Sequence, residues 1–230
     1  MDFMNIKKAL QILSTLTKQT VVPITNTVLI EPQDWGSYLT GTNLDVTVKV
    51  KTRHTFAKDR SFCVEAKILR NIFQNEEAND VTFALKDNVF IVKNPNNSRT
   101  FEIPIFDGEE FPQIDFNPPS FSFTIDNLDW LVNISFACHK EAYREELHGI
   151  RLDSEYAVAT DGYRLCRVRL KEKIPQPITI PKETLDVLNK LNSVTKDKIH
   201  FECSSQHIYA KGPSWKLYLV QSINILIGRQ

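Results

Sequence analysis

Along the first eighteen residues the apolar positions recur at helical spacing. Ile6, Ala9, Leu10, Leu13 and Leu16 share one face, Asn5 precedes them as an N-cap, and Lys7, Gln11, Ser14 and Lys18 take the opposite face. Pro23 ends any continuation. From residue 25 to 50 the period shortens to two, with breaks at 33–36 and at Gly41. Val46, Val48 and Val50 alternate with Thr47, Lys49 and Lys51, the pattern of a strand buried on one side. A second helix is predicted over residues 65–74, with Ile68, Leu69, Ile72 and Phe73 inward and Lys67, Arg70, Asn71 and Gln74 outward. Strands are predicted over 81–86, 89–93 and 99–104, separated by the turn residues Asp87-Asn88 and the 94–97 stretch.

Residues 106–120 hold Pro112, Pro118 and Pro119 among four acids, which block both helix and central strand and mark a linker. Beyond it the order repeats. A strand at 121–125 leads to a helix over 126–138, with Leu128, Leu131, Val132, Ser135 and Phe136 inward. Strands follow at 149–153, 156–160 and 165–170. Pro181 then opens a fourth helix to about residue 191, with Leu185, Leu188 and Leu191 inward and Lys182, Asp186, Asn189 and Lys190 outward. Strands at 198–203, 207–211 and 216–220 close the chain. The pattern predicts an α+β protein of two similar domains, residues 1–116 and 120–230, each with two helices packed on antiparallel sheets.

Charge narrows the function. The chain has 28 basic and 28 acidic residues, so it does not grip nucleic acid by bulk charge; any such contact needs positive charge confined to one surface. The outward helix positions Lys7, Lys18, Lys67, Arg70, Lys182 and Lys190, with Lys140 after the third helix, are either ordinary solvated faces or one modestly basic wall. Four cysteines lie far apart without a Cys-x-x-Cys pair, which suits reduced thiols in a cytoplasmic protein. The N-terminus lacks a signal layout and no apolar run reaches membrane-spanning length, so no membrane partner is expected.

Catalytic chemistry has little to stand on. Cys138-His139 are sequence neighbours, a poor geometry for a nucleophile and its base. The five histidines show no metal-ligand spacing, and the seven glycines form no phosphate-cradling loop. The acid pairs Glu76-Glu77, Glu109-Glu110 and Glu145-Glu146 read as solvated loops. No catalytic residue, metal or cofactor is expected.

One stretch is more specific. Asp161-Gly162 between two strand-like runs is by itself a hairpin turn. With its neighbours, Arg144-Glu145-Glu146-Leu147-His148-Gly149 and Ala159-Thr160-Asp161-Gly162-Tyr163-Arg164-Leu165, it resembles the middle domain of the bacterial DNA polymerase sliding clamp, the beta subunit of the replicative polymerase. Pro23-Ile24 with Leu29, Leu39-Thr40-Gly41-Thr42-Asn43-Leu44-Asp45, and Phe101, Ile103, Pro104 and Phe111-Pro112 are similar to that family's first domain, in order and at similar spacing.

The resemblance implies the DNA-clamp fold, with sheets as an outer wall and helices lining a hole. It implies a processivity factor that encircles double-stranded DNA without sequence preference and tethers a DNA polymerase. The cations above then form the DNA-facing wall. The loop after the third helix reaches the DNA, with Arg144 matching the family's arginine and Lys140 where a polar residue is usual. Gln19 stands where the family often has an arginine, with Lys18 beside it as a substitute. Leu147, Thr160, Gly162, Tyr163, Arg164 and Leu165 match half of an apolar dock for peptide tails of polymerases and the clamp loader. The other half belongs to a third domain that has no counterpart in this sequence. Two domains per chain imply a homo-oligomer, a head-to-tail ring of three. The apolar run at 221–230 suits an edge strand or interface at a natural end. The alternative is a clamp-like regulatory module that binds proteins and closes no ring.

Overall fold

Asn5 starts the first helix: its Oδ1 accepts from the Lys7 amide at 2.9 Å, satisfying a donor that a helix start leaves open. The computed structural model describes residues 2–17, 22–113, 118–141, 147–171, 173–195, 198–204 and 207–220. Helix α1 (Ile6–Leu16) buries Ile6, Ala9, Leu10, Leu13 and Leu16 as their spacing predicts, and also Ile12 and Ser14. Ser14 is expected outward. It is buried at no polar cost because its hydroxyl donates to the Gln11 carbonyl at 3.1 Å.

Strands β1 (Thr27–Gln33), β2 (Gly36–Thr42) and β3 (Val46–Thr52) form an antiparallel meander, with Leu29 opposite Thr40 and Leu39 opposite Val50. Gly41 lies inside β2 instead of breaking it. A Cβ there would stand 3.2 Å from Leu13 Cδ2, so the bare backbone lets α1 cross the sheet closely. The pattern misses β4 (Phe62–Glu65), whose first three residues are all buried and so offer no alternation to read. Running directly on, α2 (Ala66–Asn75) packs beside α1 and buries Ala66, Leu69, Ile72 and Phe73. Ile68, expected inward, is only half-buried.

A separate sheet has the order β5 (Thr82–Lys86), β6 (Val89–Asn94), β7 (Arg99–Pro104). Between the layers Phe90, fully buried, meets Phe62 at 5.1 Å, Phe83 at 5.9 Å and Phe56 at 6.1 Å between ring centroids. The stretch expected to be a linker is ordered at its start. It holds β8 (Phe106–Asp107), which pairs with β4, and a 3₁₀ turn at Gly108–Glu110. Phe111, 2% exposed, then packs on Leu29 and Cys63. An apolar anchor outweighs the nearby proline here.

The second half opens on β9 (Phe121–Ile125). Its first helix, α3 (Asp129–Ile134), is shorter than expected and tightens into a 3₁₀ turn over Ser135–Ala137. Three residues per turn advance each side chain further around the axis than 3.6 do. Phe136, expected inward, ends 56% exposed. Strands β10 (Gly149–Leu152), β11 (Tyr156–Thr160) and β12 (Leu165–Arg169) follow, and β13 (Ile178–Pro181) completes a sheet of order β12-β11-β10-β13. Pro181, expected as the first helical residue, is instead the last of β13, opposite Gly149. Helix α4 (Lys182–Thr195) runs longer than expected and packs against α3. Leu185, Leu188 and Leu191 are buried, as is Val187. Strands β14 (Ile199–Cys203) and β15 (His207–Lys211) pair, with β9 on the free side of β14 and Phe123 stacked 4.9 Å from Phe201.

Two compact units result, Met1–Asp115 with Pro213–Tyr218, and Phe116–Gly212 with Leu219–Gln230. The last strand, β16 (Trp215–Val220), lies beside β3, and the Lys51 amide donates to the Ser214 carbonyl at 2.8 Å. Each unit is a pair of helices on antiparallel sheets, an α+β arrangement. The apolar run at 221–230 lies outside the described residues.

Candidate nucleic-acid interface and partner dock

In the first unit Lys67 is exposed on α2, and Arg70, half-buried, sits one turn on along the same face. Lys7 differs. Its ammonium is paired with the Glu77 carboxylate beyond the end of α2, so an acid that helix periodicity could not place neutralises it. Lys67 lies in the first turn of α2, whereas Glu77 follows its C-terminal end. The structure thus groups Lys67 with Arg70 and ties Lys7 to the other end of α2.

In the second unit Lys182, half-buried, opens α4, and exposed Lys190 lies about 12 Å further along it. Exposed Asp186 falls four residues from each and tempers their field. Lys140 is exposed just after the 3₁₀ turn. Lys18 and Arg144 lie outside the described residues. The setting of Lys140 depends on groups the sequence does not reveal. The His139 amide donates to the Leu147 carbonyl at 2.8 Å. The buried His148 ring has its nitrogens 2.9 Å from the His139 carbonyl and 2.6 Å from a Glu183 carboxylate oxygen. His148 and Glu183 stand 35 residues apart, with no motif to join them.

The six expected peptide-dock residues divide by role. Thr160 Oγ1 donates to the Arg164 carbonyl at 2.7 Å and accepts from the Gly162 amide at 3.1 Å. Asp161 Oδ1 accepts from the amides of Tyr163 and Arg164, each at 3.1 Å, and Oδ2 from Arg164 Nε at 2.9 Å. The Arg164 amide, then that of Tyr163, hold the Asp161 carboxyl below its usual range. Gly162 takes φ +91°, which disfavours any side chain. These residues build the turn. What it presents is Tyr163, 99% exposed, and Leu165, 64% exposed. Leu147 is half-buried. Phe136 was missed by the sequence; the Arg164 guanidinium lies over its ring at 5.4 Å from the centroid. Among the described residues Tyr163 and Leu165 thus stand exposed at the turn, with exposed Phe136 against the Arg164 guanidinium.

Burial pushes the thiols of Cys63 up to about 11 and Cys203 up to about 12, and also raises that of Cys138, so none forms a ready thiolate. His139 Nδ1 accepts from the Glu141 amide at 3.0 Å, an intraloop role. Among the described residues no group of three His, Cys, Asp or Glu could hold a metal ion, and no helix is long and apolar enough to cross a membrane.

Glu76, expected on a solvated loop, is instead buried. Asn94 Nδ2 donates to its Oε2 at 2.5 Å, Asn97 Nδ2 at 3.2 Å, and Arg99 Nη1 to Oε1 at 3.0 Å, which fastens the β6–β7 turn to the end of α2. The Asn94 bond, then that from Arg99, holds the carboxyl below its usual range. A depressed folded pKa contributes stability above the unfolded value of about 4.3 and loses it as pH falls through the folded one. Glu76→Gln should therefore flatten the acid limb of the stability–pH curve below about pH 4.3. An unchanged limb in denaturant titrations would refute this role.

Residues 3–115 match the family described as DNA polymerase III beta subunit, N-terminal domain. The Buchnera aphidicola beta sliding clamp is 29% identical over 96% of this chain and 67% of its own length. Over its first half the chain is thus similar to the first domain of bacterial sliding clamps, and over most of its length to a whole one. The solved Bartonella birtlesii clamp superposes with a TM-score of 0.83 at 22% identity, over 93% of this chain and 62% of that one. The Helicobacter pylori beta clamp bound to a DNA ligase peptide gives 0.79 at 18% identity, over 94% and 63%. The chain thus spans about three-fifths of the length of those solved clamps.

Proposed function

We propose that the chain is a DNA polymerase processivity factor, a non-catalytic clamp that surrounds duplex DNA and tethers a polymerase. One observation carries the reading: two successive clamp-type units, each presenting lysines on its helix pair within an otherwise neutral chain. Exposed Lys67, Lys140 and Lys190, with half-buried Arg70 and Lys182, contact phosphates; Lys18 and Arg144 are further candidates. Lys7 contributes little because Glu77 already holds it. Such contacts are weak and blind to sequence, which lets the protein slide. Enclosure by several copies, three in the simplest ring, supplies persistence, and tethering raises the polymerase's local concentration. Addition of the chain should lengthen the products its cognate polymerase makes per binding event. No gain with any loader and polymerase from the same host would reject the proposal and favour a regulatory module.

The Phe136, Tyr163 and Leu165 surface docks apolar peptide tails of polymerase or clamp loader, with a few anchored side chains supplying most of the affinity. The ligase peptide on the Helicobacter pylori clamp gives the precedent. Because Leu165 is 64% exposed, Leu165→Asp should leave folding intact. It should weaken such a peptide at least about tenfold, since it places a charge in an apolar contact. Equal binding by both proteins would put the dock elsewhere.

A further inference from the structure

His148 is buried where the segment after α3, the start of β10 and the start of α4 meet. Four hydrogen bonds converge there. The His139 amide donates to the Leu147 carbonyl at 2.8 Å, and the Lys182 amide to the His148 carbonyl at 3.1 Å. The ring itself lies between two acceptors: Nδ1 is 2.9 Å from the His139 carbonyl oxygen, and Nε2 is 2.6 Å from Glu183 Oε1. These bonds close the base of the segment that carries exposed Lys140 and fasten it to the helix that carries Lys182.

A carbonyl oxygen and a carboxylate only accept hydrogen bonds, and a neutral imidazole has a single N–H to give. Both ring contacts therefore exist together only when the ring carries two protons. Once it loses one, the two acceptors compete for the other. The carboxylate forms the stronger, charge-assisted bond and takes the remaining proton on Nε2. The His139 carbonyl then faces the bare Nδ1 lone pair, and the segment loses its side-chain tie. The other ionisable groups at this place, among the described residues, are Lys182 and Asp186 of α4 and Cys138, His139 and Glu141 ahead of the segment. Burial raises the Cys138 thiol and keeps it protonated. His139 Nδ1 accepts from the Glu141 amide at 3.0 Å, so a proton gained there would loosen the segment, the opposite sense.

We propose that His148, as an imidazolium, positions the Lys140 segment for duplex DNA, and that Glu183 makes this positioning pH-sensitive. The segment is held while both ring nitrogens carry protons and released when one is lost. The inference rests on the reading of Lys140 as a phosphate contact and adds a regulating pair to that site.

The full-length wild type, Glu183→Ala, Glu183→Gln and His148→Ala are compared at about pH 6 and about pH 8.5, on either side of the ordinary histidine range. Nitrogen NMR of the wild-type His148 ring should show both nitrogens protonated at the lower pH. Duplex DNA anisotropy should show the wild type losing at least about threefold in affinity at the higher pH, beyond any change in His148→Ala. Glu183→Ala frees the remaining proton for the His139 carbonyl, and the amide of Glu183→Gln can donate to Nε2. Both should therefore keep their lower-pH affinity, and the Glu183 side chain, 67% exposed, can be changed without unfolding the chain. Adding Lys140→Ala to the wild type should erase the pH effect, which a purely structural role for His148 would not do. Hydrogen exchange at the His139 amide, at the higher pH and without DNA, should be faster in the wild type than in Glu183→Ala. A His148 ring with one proton at the lower pH, Glu183→Ala with wild-type pH dependence, or equal exchange would each overturn the proposal. DNA binding that ignores pH would mark failure of this tie alone. No duplex binding at either pH, with the exchange difference present, would mark failure of the DNA reading with the tie intact.

Discussion

Replacing Lys67, Arg70, Lys140 and Lys190 together by glutamate should lower duplex DNA affinity by about a hundredfold or more in low salt. Each phosphate neutralised releases counterions and contributes about 0.9 to the logarithmic salt slope. Four contacts give a slope of about 3.6, so raising salt from about 50 to about 200 mM should weaken the wild type on the order of a hundredfold. The quadruple variant should lose that much of the slope and keep only the remainder due to Lys182 and any further contact. The set omits Lys7, whose charge Glu77 holds, and Lys7→Glu alone should change affinity little. Anisotropy with two labelled duplexes of unrelated sequence checks both points. A clear preference between the duplexes, or a variant that keeps the wild-type slope, would contradict a DNA-facing role for these helices.

The second large effect concerns the aromatic layer between the two sheets of the first unit. Phe90 is fully buried and meets three other aromatic rings between the two sheets. Its replacement by alanine removes a buried aromatic and leaves a cavity that rigid sheets cannot close, at about 3–5 kcal/mol. Denaturant unfolding of the first unit should register that loss, and DNA binding should fall with it. A cost below about 1 kcal/mol would mean that the layer is looser than its packing indicates.

The helices were legible because their apolar spacing is regular: every inward residue assigned to α1 is buried, as are Leu185, Leu188 and Leu191 of α4. Strands with turns on both sides, such as β7 and β9, were legible for the same reason. Failures came where tertiary contacts outvote local pattern. β4 is buried over its first three residues with no alternation to read, β8 has only two residues, and β13 ends in a proline that equally suits a helix start. Phe136 was misplaced by a tightened turn, which composition does not encode. The candidate site was legible as a family likeness in the Thr160–Leu165 stretch. Its electrostatics were not, because the acids that matter, Glu77 at Lys7 and Glu183 at His148, arrive from distant parts of the chain.

Topological retention tests the central claim most directly. The chain is loaded onto closed circular DNA with its cognate clamp loader, washed in salt that abolishes phosphate contacts, and the DNA is then linearised. The account predicts protein retained on the circle and released once an end exists. Loss from the circle at the same rate as from linear DNA would contradict it.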